Sequence, residues 1–173
     1  MERKTKVSAE DGKQEIVITR EFDLPLELLF RAYAEPDIVE QWMGTKVLKL
    51  ENKKHGSWQF ETSDAQGKVV FRANGTIHDF VPNQKITRTF EMENMSDRHS
   101  EASALQFAVQ LEFLEFEKLT EDTSKLSIHI VYKSVALRDQ ILRLPFVQGL
   151  NMAHNRLQDI IRKFKMEHDG KEK

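Results

Sequence analysis

Residues 149–164, GLNMAHNRLQDIIRKF, predict a long amphipathic α-helix, because their apolar side chains recur with the period of an α-helix. The apolar stripe begins before this stretch, and Pro145 is expected to kink the helix or to restart it. Its members are Leu142, Phe146, Gly149, Leu150, Ala153, Leu157, Ile160 and Phe164. A helix this long with one apolar face must lie against an apolar surface, and the rest of the chain predicts that this surface is a β-sheet.

Strand patterns occupy most of the chain before that helix. Residues 15–22, EIVITREF, alternate apolar and polar side chains, as expected of a strand that is covered on one face. Two short helices should follow, ending near Ala34 and Gly44. Further strands are predicted at residues 46–51, 56–63, 68–80, 84–93, 105–118 and 125–133. A change of phase between Phe113 and Leu114 predicts a β-bulge in the sixth of these seven strands.

A chain of 173 residues is expected to form one domain. Residues 1–14 are polar and charged and are predicted to be a flexible leader, with the domain spanning 15–166 and a flexible tail at 167–173. No signal peptide is recognised, and no run of about 18 apolar residues occurs. A cytoplasmic protein without membrane insertion is therefore expected.

Composition and motifs exclude several classes of function. The net charge is -2 and no basic excess is visible, which argues against a nucleic-acid partner. Without cysteine there is no disulfide, thiolate metal site or cysteine nucleophile. The six histidines show no metal-binding spacing, and nucleophile-elbow and phosphate-loop motifs are missing. No catalytic residue, metal or cofactor is therefore predicted, and a binding protein is favoured over an enzyme.

A family resemblance extends over nearly the whole chain. Residues 24–44, LPLELLFRAYAEPDIVEQWMG, resemble the opening helical pair of the START-like (SRPBCC) superfamily, in particular the group named after the activator of the Hsp90 ATPase. Residues 56–60, GSWQF, and 75–90 resemble its middle strands, and the final helix also fits. The resemblance implies an α+β helix-grip (Bet v 1-like) fold. In it a curved antiparallel sheet of about six or seven strands wraps around the C-terminal helix and leaves a cavity.

Two departures from the resembled group matter. The full activator carries an additional N-terminal domain that contacts the chaperone, and residues 1–14 are too short to form one, which argues against chaperone activation. The group often has a second aromatic residue beside the tryptophan of the second helix, whereas Met43 follows Trp42 here. A pocket of different shape is expected at that end.

Large apolar side chains are plentiful on segments that should face inward, while Gly149 and Ala153 leave room on the helix. The candidates for the cavity are Trp42, Trp58, Phe60, Phe71, Arg88, Phe90, Phe107, His129, Phe146, Gly149, Ala153 and His154. Arg88, His129 and His154 are the polar members expected to set selectivity. The alternative for the aromatic residues is an ordinary filled core.

Three functions stay open at this point. The first is binding of a small hydrophobic or aromatic ligand in the cavity. The second, implied by the resemblance, is a co-chaperone-like or regulatory module that binds a protein partner. The third, an enzyme of the cyclase or dehydratase type that uses the cavity, has only the analogy of fold behind it.

Overall fold

The computed structural model describes residues 3–94 and 108–171. The strands are β1 (Lys6–Ser8), β2 (Glu15–Phe22), β3 (Lys46–Leu50), β4 (Ser57–Ser63), β5 (Val69–Val81), β6 (Lys85–Asn94), β7 (Ala108–Lys118) and β8 (Ser124–Tyr132). The helices are α1 (Leu26–Ala34), α2 (Pro36–Met43), α3 (Val135–Leu142) and α4 (Phe146–Lys171). Apart from β1 and the separate short helix α3, this order of elements is the predicted one: a strand, two short helices, a series of strands and a long C-terminal helix.

All eight strands form one antiparallel sheet in the order β1-β2-β8-β7-β6-β5-β4-β3. The predicted α+β class and helix-grip arrangement are confirmed, with a sheet that has slightly more strands than expected. The additional strand is β1, which lies within the segment predicted as a leader and pairs Val7 with Ile18. Three residues are too few to display a strand period, so the sequence pattern did not reveal it.

One face of the sheet, called here the inner face, carries the core and is covered by helices. Strands β2 and β8 alternate strictly, with Ile16, Ile18, Ile128 and Ile130 buried on the inner face. Leu157 and Ile161 of α4 belong to the same core cluster and are at most 1% exposed. Burial of each such side chain contributes roughly 1.5–3 kcal/mol, so the sheet and α4 stabilise each other.

The β-bulge predicted between Phe113 and Leu114 is wrong. These residues pair in unbroken register with β6 and with β8, whereas the irregularities of the sheet lie between Val47 and Lys49, Thr62 and Ser63, and Ile77 and Asp79. The apparent change of phase has another cause. Strand β7 places the polar side chains of Gln110 and Glu112 on the inner face, followed by apolar Leu114.

Pro145 separates two helices, as the sequence predicts. The first, α3, is capped by Ser134, whose side chain accepts a hydrogen bond from the Leu137 amide. The second, α4, begins at Phe146 and continues to Lys171, through most of the segment predicted as a tail. Gly149 therefore lies in the first turn of a 26-residue helix.

Replacing Gly149 by alanine is expected to raise the free energy of unfolding by about 0.5–1 kcal/mol, because glycine loses more backbone entropy in a helix than alanine does. A Cβ added at this position meets nothing within 4 Å, so no steric cost offsets the gain. Urea unfolding of both proteins measures the difference. A destabilised Gly149→Ala variant would contradict the expectation.

Candidate functional site

A cavity of about 540 Å³ lies between the inner face of the sheet and the helices. Its size is within the range of pockets that hold small organic molecules. Most of its wall is apolar, with contributions from Ile18, Trp42, Met43, Phe60, Phe71, Phe90, Leu114, Ile128, Ile130, Ile141, Leu144 and Leu150. A close-packed interior contains few voids larger than a water molecule, so a space of this size is a feature to be explained.

Several of the residues predicted for the cavity line it. They are Trp42, Phe60, Phe71, Arg88, Phe90, Gly149 and Ala153. Met43 also lines it, at the position where the resembled group often has an aromatic residue. The flexible methionine side chain thus forms part of the wall contributed by α2.

The other predicted aromatic residues do not contribute to the described wall. Trp58 is 1% exposed and packs behind it, in ring contact with Phe60 and Phe90. Its indole Nε1 donates a hydrogen bond to the Thr89 carbonyl at 3.2 Å. Phe107 lies outside the described residues, as does the side chain of Phe146.

His129 lies on the outer face of the sheet, away from the cavity. It alternates with Ile128 and Ile130, whose side chains occupy the inner face. Its Nε2 is 2.6 Å from Glu15 Oε2, and its ring is 5.8 Å from that of Phe113. This histidine therefore has a cross-strand partner outside the site.

His154 lies on α4 but faces the edge of the sheet, where it is fully buried. Its Nδ1 is 2.7 Å from the hydroxyl of Thr5, and Arg20 Nη1 donates to that hydroxyl at 3.4 Å. The Thr5 hydroxyl therefore accepts from Arg20 and shares a hydrogen bond with His154 Nδ1, while His154 Nε2 has no partner among the described residues. This cluster anchors the residues around β1 to α4.

Acidification to pH 5 is expected to destabilise the protein through His154. Burial lowers the pKa of His154 to about 3, and the Arg20 cation acts in the same direction. An unperturbed histidine has a pKa of about 6.5. Below that pH, His154 binds a proton in the unfolded chain but not in the folded chain, so the free energy of unfolding decreases as the pH decreases. Between pH 7 and pH 5 the loss from this group is about 2 kcal/mol.

Urea unfolding at several pH values, repeated with His154→Gln, isolates this contribution. The glutamine amide can still form a hydrogen bond with the Thr5 hydroxyl but does not titrate. We expect the variant to show a flatter stability profile between pH 7 and pH 5. Equal slopes for the two proteins would assign the acid sensitivity to other groups.

The polar groups of the cavity are concentrated on two neighbouring strands. Arg88 on β6 and Glu112 on β7 are directly paired in register, with Arg88 Nε donating to Glu112 Oε2 at 2.9 Å. Gln110 Nε2 donates to the other carboxylate oxygen at 3.0 Å. Both charged side chains are only 9% exposed, and the guanidinium lies 4.7 Å from the centroid of the Trp58 ring.

Two tyrosines complete this group. Tyr132 pairs with Gln110 in the β7–β8 register, and Tyr33 reaches the cavity from α1. Burial raises the pKa of both phenols, so each hydroxyl keeps its proton at neutral pH. Tyr33, Arg88, Gln110, Glu112 and Tyr132 are called the polar patch below.

Only Arg88 of the polar patch was a predicted site residue. In the sequence, Glu112, Glu115 and Glu117 form an acidic run that is expected to be a solvated edge. For Glu112 this expectation is wrong, because the residue is buried and lines the cavity. Glu112 is two residues from buried Leu114 in β7, so both side chains lie on the same face of the sheet. The exposed Glu115 and Glu117 lie on the opposite face, and this alternation could have distinguished Glu112 from them. Among the described residues that line the cavity there is no histidine, and Glu112 is the one carboxylate.

Residues 3–94 and 108–171 contain no group of three or more His, Cys, Asp or Glu side chains placed to hold a metal ion. Over the same ranges, no helix combines the length and the apolar character needed to cross a bilayer.

Solved structures of similar fold come from several bacteria. A solution structure of a protein from Arthrobacter aurescens superimposes with a TM-score of 0.76 at 13% identity, covering 91% of each chain. A crystal structure of a protein from Rhodobacter sphaeroides has a TM-score of 0.74 at 14% identity, over 92% of this chain and 99% of the other. A crystal structure of a protein from Mycobacterium smegmatis has a TM-score of 0.73 at 15% identity, covering 90% of this chain and 94% of the other. These superpositions show a shared fold.

Sequence comparison identifies the family. No curated protein matches the chain. The model of the family described as "Activator of Hsp90 ATPase homolog 1-like protein" matches residues 23–162, which is most of the chain and includes both the opening helices and most of α4. The chain therefore belongs to this family, within the START-like superfamily.

Proposed function

We propose that this protein binds a small, mainly apolar molecule in the cavity between its sheet and α4. The observation that carries the proposal is the cavity itself, about 540 Å³ with a predominantly apolar wall. An apolar wall of this extent that no protein atom covers is left in contact with solvent, which is unfavourable. A bound apolar ligand would cover the wall and would remove its own surface from water.

The helix side of the cavity supports the same function. Gly149 and Ala153 lie one turn apart on α4 and both line the cavity. Larger side chains at these positions would fill the space and stabilise an ordinary core. Small residues there keep the volume open, at the cost of the packing that a leucine would provide.

A cavity-filling variant tests the proposal. Thermal-shift and native mass-spectrometry screens against lipids, phenolic compounds and polyketides would first select a ligand. Ala153→Leu is then expected to weaken its binding at least tenfold, or about 1.4 kcal/mol, by occupying the same space. Met152→Leu is the matched control, because this neighbouring side chain is 65% exposed and does not line the cavity.

Two results would oppose ligand binding. One is a uniform lack of binding across the screen, accompanied by an experimental structure in which side chains fill the cavity. The other is equal affinity of Ala153→Leu and the unmodified protein for the selected ligand, which would place that ligand elsewhere on the surface.

A second candidate function is a co-chaperone-like or regulatory role, which the description of the matching family supports. Such a role would connect the protein with the cytoplasmic stress response. Measuring the ATPase rate of an Hsp90 chaperone with and without this chain tests it. An unchanged rate, together with no detectable complex, would remove this candidate.

A further inference from the structure

The polar patch determines which chemical class of ligand suits the cavity, an inference that rests on the proposed ligand binding. Apart from Thr45 and Thr62, the described polar side chains of the wall all belong to this patch. The two threonine hydroxyls are already joined, since Thr62 donates to Thr45 at 3.2 Å, and Thr45 donates to the Glu61 carbonyl at 2.8 Å. A ligand's polar group would therefore meet the patch.

The patch has no net charge while its ion pair holds. Glu112 neutralises Arg88, and both carboxylate oxygens already accept hydrogen bonds. A ligand carboxylate would bring a second negative charge close to Glu112, and a ligand ammonium would bring a second positive charge close to Arg88. Either would also lose its hydration in a mostly apolar space, a cost that a neutral ligand avoids.

Hydrogen-bonding capacity nevertheless remains in the patch. Among the described residues, no partner is found for the Arg88 Nη atoms, the Gln110 side-chain oxygen or the hydroxyls of Tyr33 and Tyr132. The guanidinium nitrogens can only donate, the amide oxygen can only accept, and the phenols can do both. A ligand group that both accepts and donates, such as a hydroxyl, matches this set.

We propose that the cavity selects neutral, mainly apolar ligands that carry a hydroxyl group at one end, and that it discriminates against carboxylates of the same shape. The apolar wall accepts the body of the ligand, and Arg88, Gln110 and Tyr132 bind the hydroxyl. Desolvation penalises both the charged analogue and any polar ligand that leaves the patch unsatisfied.

Three probes of one shape test this: stilbene, hydroxystilbene and stilbene carboxylate. Their dissociation constants follow from quenching of tryptophan fluorescence, since Trp42 lines the cavity, with calorimetry as a second readout. We expect hydroxystilbene to bind at least about fivefold more tightly than stilbene, since one or more hydrogen bonds are added to buried groups. The carboxylate should bind at least about tenfold more weakly than hydroxystilbene.

The variant Gln110→Leu/Tyr132→Phe removes an acceptor and a hydroxyl but leaves the Arg88–Glu112 ion pair. It should reduce the preference for hydroxystilbene over stilbene to less than about twofold, and Tyr33→Phe/Tyr132→Phe, which deletes only two oxygen atoms, should reduce it as well. The matched control is Thr62→Val, which changes a cavity hydroxyl outside the patch and should keep the preference.

The outcomes separate this inference from the proposed function. If stilbene binds and the three probes have similar affinities, or if the carboxylate binds most tightly, the inference is overturned while ligand binding stands. A preference that survives in both double variants would also overturn it. If none of the probes binds, both the proposed function and the inference fall together for this ligand class.

Discussion

Replacing Glu112 by leucine is expected to lower the free energy of unfolding by about 3–5 kcal/mol, the usual cost of breaking a buried ion pair by removing one partner. The change leaves the Arg88 guanidinium in a site where 9% of its side chain is exposed. The face of Trp58 remains at 4.7 Å from the guanidinium. A desolvated cation–π contact of this kind is worth about 2 kcal/mol and does not replace a carboxylate.

The double variant Arg88→Met/Glu112→Leu distinguishes the cost of an unpaired charge from the value of the pair. Removing both charges is expected to return most of the stability, because apolar residues of similar volume often replace buried ion pairs at little cost. Equilibrium urea unfolding of the two single variants and the double variant gives the coupling energy.

A matched pair on the surface provides the control. Arg72 Nε donates to Glu61 at 3.0 Å between β4 and β5, but 40% of the Arg72 side chain is exposed. Glu61→Leu should therefore cost about 1 kcal/mol or less. If Glu112→Leu proves no more costly than Glu61→Leu, the buried pair has no special role in the fold.

The fold was largely predictable because its periodic elements are long. Strands such as β2 and β8 repeat their alternation over eight and nine residues, and the stripe of α4 spans several turns. The same regularity fixes which face a side chain occupies. Alternation along the strand alone places His129 on the face opposite to that of Ile128 and Ile130, and it places Glu112 on the same face as Leu114.

The contents of the cavity were less predictable, because they depend on contacts between distant segments. His154 has the helical spacing of the apolar stripe on α4. Its partner Thr5, however, lies 149 residues away in the sequence, next to a strand of three residues. Trp58 has an inward parity as well, yet it packs behind the cavity wall. Which aromatic side chains line the space and which support it follows from sheet geometry that no local pattern contains.

Replacing Gly75 by alanine is expected to cost about 3 kcal/mol or more, the upper end of the usual range for overpacking. Gly75 lies in β5 directly opposite Trp58. A Cβ at this position would be 1.8 Å from the Thr89 carbonyl oxygen and 2.8 Å from Trp58 Nε1. The first atom belongs to the backbone of β6, so the strands themselves would have to separate.

The added Cβ would also disrupt the hydrogen bond between Trp58 and Thr89, which fixes the tryptophan ring next to the polar patch. Trp58 Nε1 donates to the same Thr89 carbonyl, and the Trp58 ring lies under Arg88. Displacing either atom leaves a buried indole N–H without its acceptor, which adds about 1–3 kcal/mol. We therefore expect Gly75→Ala to lower stability and to disturb the position of Arg88 together.

Urea unfolding measures the first effect, and the near-ultraviolet circular dichroism of the tryptophans reports the second. The control is Gly149→Ala, the same chemical change at a position where the added Cβ meets nothing within 4 Å. The two variants should shift stability in opposite directions. In Gly149→Ala the methyl group removes backbone freedom from the unfolded chain, whereas in Gly75→Ala it collides with a neighbouring strand. A Gly75→Ala protein as stable as the unmodified one would mean that β5 and β6 can separate without loss, and that the close approach at Gly75 does not hold Trp58 beneath the ion pair.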